Sequence, residues 1–541
     1  MNIAVLHYHL NRGGVTQVII NHLLSLERHL RGERWRVAIM YGGRQDAWMQ
    51  HLTNLKHLDV QFVRIAGLDY ATDEAPSRCE ALGEEIRRQL DDLRFDLRET
   101  VIHIHNHSLA KNASLPGAIV WLADRGHRLL LQIHDFSEDF RPGDYKQLQA
   151  AAYAAEKTSR HGGESPSTSR GRDVGFSYPQ APNIHYAVLN SRDDEILAQA
   201  GVPDAQRELL PNPVAEPAEW RGRREARKKL KKLFGVPRRH QFVLYPVRCI
   251  RRKNIGEAML WSLLSRENVT YGFTLPPENP ATDVIYQSWR RLAQTEELPC
   301  RFEIGADGGM RYVESVAAAD LLLTTSLVEG FGMVYLESWL SGHMLAGRDL
   351  PEITADFVNN GMSYDRIQPH LHVNIDWFGA RRFEELLQSG YQSVTQTYGV
   401  SPSNADKVLQ ERVAQRLDEG WVDFGEIDEQ AQHRVIEKVA GNAPARKDLE
   451  ESNPWCRTAM RNPLHSEVSA IVRNAVTAVH RFGFDRGGRR LAELYSRVLG
   501  ADSNGAALPL RDPQQILDRF LDPHRYRPIA VAQPAAEENA S

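Results

Sequence analysis

The chain has 541 residues, 42% hydrophobic and 25% charged, with a formal net charge of −4. That length is too great for one core and calls for two domains with appendages, while the charge excludes a general nucleic-acid binder, which needs a global positive field. The four cysteines, Cys79, Cys249, Cys300 and Cys456, lie far apart without metal-ligand spacing; with no basic, apolar leader and no membrane-length run, the expectation is a cytoplasmic protein.

In chain order, apolar β-branched runs bounded by turn residues recur at 2–7, 36–41, 60–65, 101–105, 129–133 and 185–189, with helix-period segments between most of them. This βαβα alternation predicts an α/β domain with a parallel, doubly wound sheet. The first strand ends in HYHLNRGGVTQVII, where Gly13 and Gly14 precede a helix that carries Val15, Val18, Ile19 and Leu23 on one face. The glycines offer helix N-terminal amides to an anion. GxGxxG is absent, which disfavours a dinucleotide oxidoreductase. Two later strand ends carry polar clusters, IHIHNHSLAKN at 102–112, with Asn106, and QIHDFSEDFRP at 132–142, with His134, Asp135 and Glu138. His103 and His105 share one side of their strand and His107 lies beyond its end; without a cysteine or tight carboxylate set, no metal site is expected.

Residues 157–180, dense in Gly and Ser, predict a mobile loop of the lid or recognition kind. After LPNPV at 210–214 the pattern restarts at 242–247, 269–275, 301–304, 321–326 and 344–347, giving a second doubly wound domain. The basic segment 221–232 reads as a solvated helix covering the domain link, although the physics also allows weak peripheral contact with an anionic membrane. From about 356 helical patterns take over at 406–417, 428–439 and 466–498. A short helix is expected at 512–521 and disorder in the last ten or so residues. The expected domains are thus 1–210, 211–400, a helical region 401–500 and a tail 501–541.

The most informative piece is VEGFGMVYLE at 328–337, just after the strand at 321–326. Glu329 and Glu337 bracket a Gly330-Phe331-Gly332 turn that opens a helix, so the glycines fall where α/β sheets bind ligands. Backbone N–H groups from Phe331 to Met333 would face hydroxyl or phosphate oxygens, and the two glutamates would accept hydrogen bonds from two parts of one ligand. In the same domain the strand QFVLYPV is followed by Arg248-Cys-Ile-Arg-Arg-Lys253, which sets cations at a strand-to-helix turn, suited to a leaving diphosphate.

The order strand, Glu, Gly-Phe-Gly, helix, Glu resembles the E-x7-E signature of retaining GT-B glycosyltransferases, particularly glycosyltransferase family 4. The resemblance covers roughly residues 1–355, most specifically 2–17 and 245–352. It implies two Rossmann-like domains facing a cleft, with the last helix, 466–498, crossing back to the first domain. It implies transfer of a hexose from UDP-, GDP- or ADP-hexose, as co-substrate rather than cofactor, to an unidentified acceptor, with retention and without a metal. Arg248 and Lys253 would neutralise the diphosphate, although Val247 stands where the family has Gly. Arg251 and Arg252 fit that role if the register shifts by a turn. Glu337 would hold the ribose, while Glu329 and His134 would touch the sugar. Gly13, Gly14, Asn106, His134 and Asp135 would lie on the acceptor side of the cleft, with Glu138 as a further acceptor contact. Where relatives continue Pro-Val-Val, this chain reads SGHMLAGRDLPEI, so that Arg348, Asp349 and Glu352 would line a region where relatives present backbone. A nucleotide-sugar epimerase, a sugar phosphorylase and a catalytically inactive carbohydrate- or nucleotide-binding protein stay open, as does the oligomeric state.

Overall fold

The computed structural model describes residues 1–45, 52, 55–72, 76–159, 174–215, 222–265, 268–400, 404–461 and 465–532. Most of the expected loop at 157–180, the end of the tail and Arg221 of the basic segment lie outside the described residues. The chain divides into two compact units, Met1–Ala215 with Val479–Leu521, and Glu216–Ala478 with Asp522–Ser541.

The first unit is built on seven parallel strands: β1 (Asn2–His7), β2 (Trp35–Tyr41), β3 (Leu58–Arg64), β4 (Thr100–His105), β5 (Arg128–Gln132), β6 (Ile184–Val188) and β7 (Arg207–Leu209). They lie in the order β3-β2-β1-β4-β5-β6-β7, so the strand order reverses between β1 and β4. β1 and β4 are buried along their whole length, which is why they read as continuous apolar runs rather than alternating ones. Helix Gly14–His29 packs on this sheet through Ile19, Leu23 and Leu26, and the late helix Phe484–Leu499 adds Leu491, Leu494, Tyr495 and Val498 to the same core. The two helices approach closely because Gly488 has no side chain: a Cβ there would meet the Ser25 carbonyl oxygen at 2.1 Å.

The second unit carries six parallel strands, β8 (Gln241–Arg248), β9 (Val269–Leu275), β10 (Cys300–Arg301), β11 (Leu321–Thr324), β12 (Leu345–Arg348) and β13 (Ile367–Gln368), in the order β10-β9-β8-β11-β12-β13. Beyond them β14 (His372–Asn374) and β15 (Trp421–Asp423) pair antiparallel, where the sequence pattern showed only helices. The pattern at 466–498 reads as one helix but folds as two, His465–Phe482 and Phe484–Leu499. The break falls at Gly483, where a Cβ would sit 2.2 Å from the Val479 carbonyl oxygen. The basic segment forms helix Arg223–Phe234. Arg223 and Arg227 both pair with Asp320, and Lys229 pairs with Glu314 at 2.7 Å, so part of its charge is used inside the unit. Among the described residues no helix is long and apolar enough to cross a membrane.

Candidate functional site

In the second sheet the order reverses between the neighbours β8 and β11, and the carboxyl ends at such a switch point are where open α/β sheets bind ligands. The loop after β8 passes through a short turn of 3-10 helix, Arg251–Lys253, and a left-handed Asn254 (φ 49°) into helix Ile255–Leu264. The loop after β11 runs through Glu329 and Gly330 into helix Val334–Leu340. Hydrogen bonds stitch the two loops together. Leu327 N–H donates to the Arg252 carbonyl (2.9 Å), and Thr325 Oγ1 donates to the carbonyls of Lys253 (3.1 Å) and Asn254 (2.9 Å). The Tyr245 hydroxyl, from β8, donates to the Lys253 carbonyl at 2.8 Å.

This stitching brings Lys253 Nζ onto the Glu329 carboxylate. Arg252 Nη1 lies 3.3 Å from the same carboxylate and 2.6 Å from the Val328 carbonyl oxygen. Burial pushes the Glu329 pKa up, but the charges of Lys253 and Arg252 outweigh it and the net shift is downward; Glu329 is therefore ionised at neutral pH. The expected partner cation Arg248 stands apart from this cluster. It binds Glu278 at 2.7 Å and donates to the Pro276 carbonyl at 3.0 Å. The structure thus pairs Lys253 with Arg252, which the sequence offered only as a shifted-register choice. Arg251 is turned away, held by Glu429 at 2.5 Å and the Val531 carbonyl at 2.8 Å.

The Gly-Phe-Gly turn divides its labour. Gly332 sits at φ +78°, and a Cβ there would meet the Tyr335 ring at 2.7 Å, so glycine is required. The Phe331 ring is buried edge-on against Phe357, 5.4 Å between centroids, and Met333 is the residue at the mouth of the helix. Glu337, on that helix, accepts a hydrogen bond from the Tyr312 hydroxyl at 3.2 Å, and burial raises its pKa to about 7.

Arg348, Asp349 and Glu352 each have partners within their own unit. Arg348 is 3% exposed and lies between Glu257 (2.5 Å) and Asp423 (2.8 Å), with its Nη1 also on the Pro369 carbonyl (2.6 Å). Asp349 accepts from Thr354 Oγ1 at 2.6 Å, and Glu352 binds Arg525 at 3.1 Å. A buried ion triad thus ties β12 to the strand pair β14–β15.

The first unit has its own switch point, between β1 and β4. After β1, Gly13 is the extended N-cap of helix Gly14–His29, which has neither a side-chain cap nor an acidic residue in its first turn. A Cβ on Gly14 would meet nothing within 4 Å, so neither packing nor a left-handed φ explains this glycine; it leaves open space beside the helix terminus. After β4, Asn106 is left-handed (φ 61°) and its Oδ1 accepts from the backbone N–H groups of His134 (3.2 Å) and Asp135 (3.0 Å). The Tyr8 hydroxyl, after β1, donates to the Asn106 carbonyl at 3.1 Å. Asn106 thereby joins the ends of β1, β4 and β5.

His134 is buried, with Nε2 2.9 Å from His105 Nδ1. Burial lowers its pKa to about 4 against the opposing charge of Asp135, so the imidazole is neutral. Asp135 pairs with Arg141 at 2.7 Å. Glu138, expected on the acceptor side, is instead fully buried with the Tyr178 hydroxyl on both carboxylate oxygens (3.0 and 3.2 Å). His103 and His105 stack with ring centres 4.2 Å apart, while His107 turns toward Tyr178 and Tyr186. Sequence reasoning missed a further imidazole, His22 of helix Gly14–His29, which stacks on His103 at 5.9 Å. Its distance along the chain left no signal beyond a lone His on a helix.

No model of a known protein family matches the chain. Mannosylglucosyl-3-phosphoglycerate synthase of Petrotoga mobilis is 26% identical over 371 residues, 66% of this chain and 66% of the relative, just under two thirds of that protein's length. Among solved structures, HepE of Anabaena in complex with UDP and glucose aligns at a TM-score of 0.50 and 13% identity, covering 92% of this chain and 99% of HepE. Its complex with UDP-glucose aligns equally well, with the same identity and coverage. The fold is GT-B. At that identity the structural likeness speaks to fold alone, and the two reversed sheets with their paired switch points are its substance here.

Proposed function

We propose that the chain is a retaining glycosyltransferase of family 4 that moves a hexose from a nucleotide-sugar to an acceptor without a catalytic metal. The observation that carries this reading is the Glu329–Lys253–Arg252 cluster at the β8/β11 switch point. A carboxylate held ionised by two cations fixes those cations in place, as preorganised positive charges suited to the oxygens of a diphosphate. Negative charge grows on that diphosphate as the glycosidic bond breaks, and preorganised cations stabilise it most in the transition state. Such fixed charges do at the leaving group what a divalent ion does elsewhere. Arg248 adds a further positive charge at the end of the same strand. In this reading Glu337 accepts hydrogen bonds from the ribose and Glu329 lies against the hexose. The leaving diphosphate oxygen takes the acceptor hydroxyl's proton on the same face of the sugar, so configuration is kept and no side-chain nucleophile is used.

The acceptor belongs to the first unit, where His134, Asp135 and the Gly13-Gly14 helix start surround the β1/β4 switch point. Neutral His134 offers a hydrogen bond without charge. The Petrotoga relative is named for a mannosylglucosyl-3-phosphoglycerate product, which makes a glucosylated 3-phosphoglycerate the first acceptor to test. The experiment incubates the protein with GDP-mannose, UDP-glucose or ADP-glucose, with and without that acceptor, and separates the products by mass and anomeric configuration. Acceptor-dependent release of diphosphate with an α-linked product from an α-linked donor supports the reading. Turnover of the donor into an isomer without acceptor overturns it in favour of an epimerase, and no turnover of any donor in favour of a binding protein.

A further inference from the structure

We propose that His22, His103 and His105 form a binding site for a transition-metal ion of the Zn2+ class inside the first unit. The three come from two elements, helix Gly14–His29 and strand β4, and each offers a ring nitrogen within 4.8 Å of the other two. Imidazoles that share one tetrahedral ion at ~2.0–2.1 Å hold their nitrogens about 3.3 Å apart, so the set closes by movements of at most roughly 1.5 Å between any two of them. All three side chains are buried, and on His22 both ring nitrogens lie buried with no hydrogen-bond partner among the described residues. A polar group desolvated in this way is a strong anomaly in a folded interior, and an ion bound by one of the two nitrogens resolves half of it.

The surroundings supply what an imidazole ligand requires. Gln132 Oε1 lies 3.0 Å from His103 Nε2 and accepts its proton, which leaves Nδ1 as the lone-pair nitrogen, now 2.9 Å from the Tyr495 hydroxyl. A carbonyl oxygen behind the distal N–H is the usual support of a metal-bound His. On His105, Nδ1 faces His134 Nε2, and Nε2 remains for the ion. Three imidazoles without a carboxylate suit Zn2+, Co2+ or Ni2+ and not Mg2+ or Mn2+. The site lies in the layer between sheet and helices, so it is separate from the diphosphate chemistry; an ion there would tie helix Gly14–His29 to β4 and stiffen His105 behind His134.

The test starts from full-length protein dialysed against chelator. Titration with Co2+ should give saturable binding of one ion per chain, with the visible bands of nitrogen-ligated cobalt, and Zn2+ should displace it and raise the melting midpoint; Mg2+ should do neither. His22→Asn should weaken binding beyond the ~10–100-fold that loss of an outer-shell partner costs, whereas Tyr495→Phe, which only frees His103 Nδ1, should bind at least as tightly as wild type. No saturable cobalt band in the wild type overturns the proposal, as does unchanged affinity in folded His22→Asn. If His22→Asn does not fold, His105→Gln gives the same comparison, and the wild-type titration stands without either variant.

Discussion

Glu329 and Glu337 stand on one short motif in unlike surroundings, and the difference assigns their roles. Glu329 is ionised because Lys253 and Arg252 outweigh its burial, so its contacts strengthen wherever positive charge develops on a sugar. Glu329→Gln should keep affinity for the free nucleoside diphosphate and lose turnover by about 10²-fold; calorimetry and initial rates separate the two, and an equal loss of diphosphate binding would exchange the roles of the two glutamates. Glu337 has the Tyr312 hydroxyl for a partner and no cation among the described residues, and burial raises its pKa to about 7. Below that pH it is protonated and loses acceptor capacity for ribose hydroxyls. Nucleoside diphosphate affinity should therefore fall as pH drops from 8 to 6, and Glu337→Ala should bind more weakly, by ~1–3 kcal/mol at pH 8, without that pH dependence. A wild-type affinity that is flat across this range would remove Glu337 from the nucleotide. Both glutamates, the glycines and Lys253 were legible in the sequence because a strand-end loop compresses them into a few residues. Arg252 was legible only as one of several neighbouring cations, since a turn of 3-10 helix sends successive side chains in different directions, and Glu138 misled because a carboxylate in a polar stretch gives no hint of the Tyr178 hydroxyl that buries it.

At the scale of elements, the long buried strands could be read from continuous apolar runs, and the run at 301–304 marked β10, which spans only Cys300–Arg301, whereas β7 and β13, of three and two residues, are too short to carry a period. The same limit hid β14 and β15. The triad of Arg348, Glu257 and Asp423 was illegible for another reason: its members are 91 and 75 residues apart, and only the fold makes them neighbours. Their burial makes a prediction. Arg348→Met removes the one guanidinium that contacts both acids and leaves two carboxylates in the interior, which should cost ~3–5 kcal/mol of stability. The triple replacement Arg348→Met, Glu257→Leu, Asp423→Leu should recover much of that loss, because it removes the charges together with their partner. Urea denaturation followed at the tryptophans measures both; a single variant as stable as wild type would show that the triad is incidental. Gly347 marks the same crossing, since its φ of +117° and a Cβ contact of 2.0 Å with the Thr324 carbonyl exclude every other residue there.

At the scale of the molecule, the C-terminal stretch 479–541 serves the two units in turn. Residues 479–521 belong to the first unit and those from 522 on to the second. The first unit's core includes Leu491, Leu494, Tyr495 and Val498 beside Leu23 and Leu26. The second gains the Arg525–Glu352 pair, the buried Tyr526 against Tyr391 and the pairing of Arg527 with Glu426. The chain's helical end was legible as helices, whereas the return of its last long helix to the first unit was implied by the resemblance alone, because an amphipathic period states that a face is buried and not against what. Two truncations separate the contributions. A chain ending at residue 521 should lose hydrogen-exchange protection in β8, β11 and β12 while β1, β4 and β5 stay as in the full-length protein. A chain ending at 478 should lose protection in β1 and β4 as well, since removing helix Phe484–Leu499 uncovers helix Gly14–His29 and at about 25 cal/mol per Å2 of apolar surface the loss is comparable to the whole stability of a domain. Equal protection of β1 and β4 in the two truncated chains would show that the late helix is a passenger on the first unit and not part of its core.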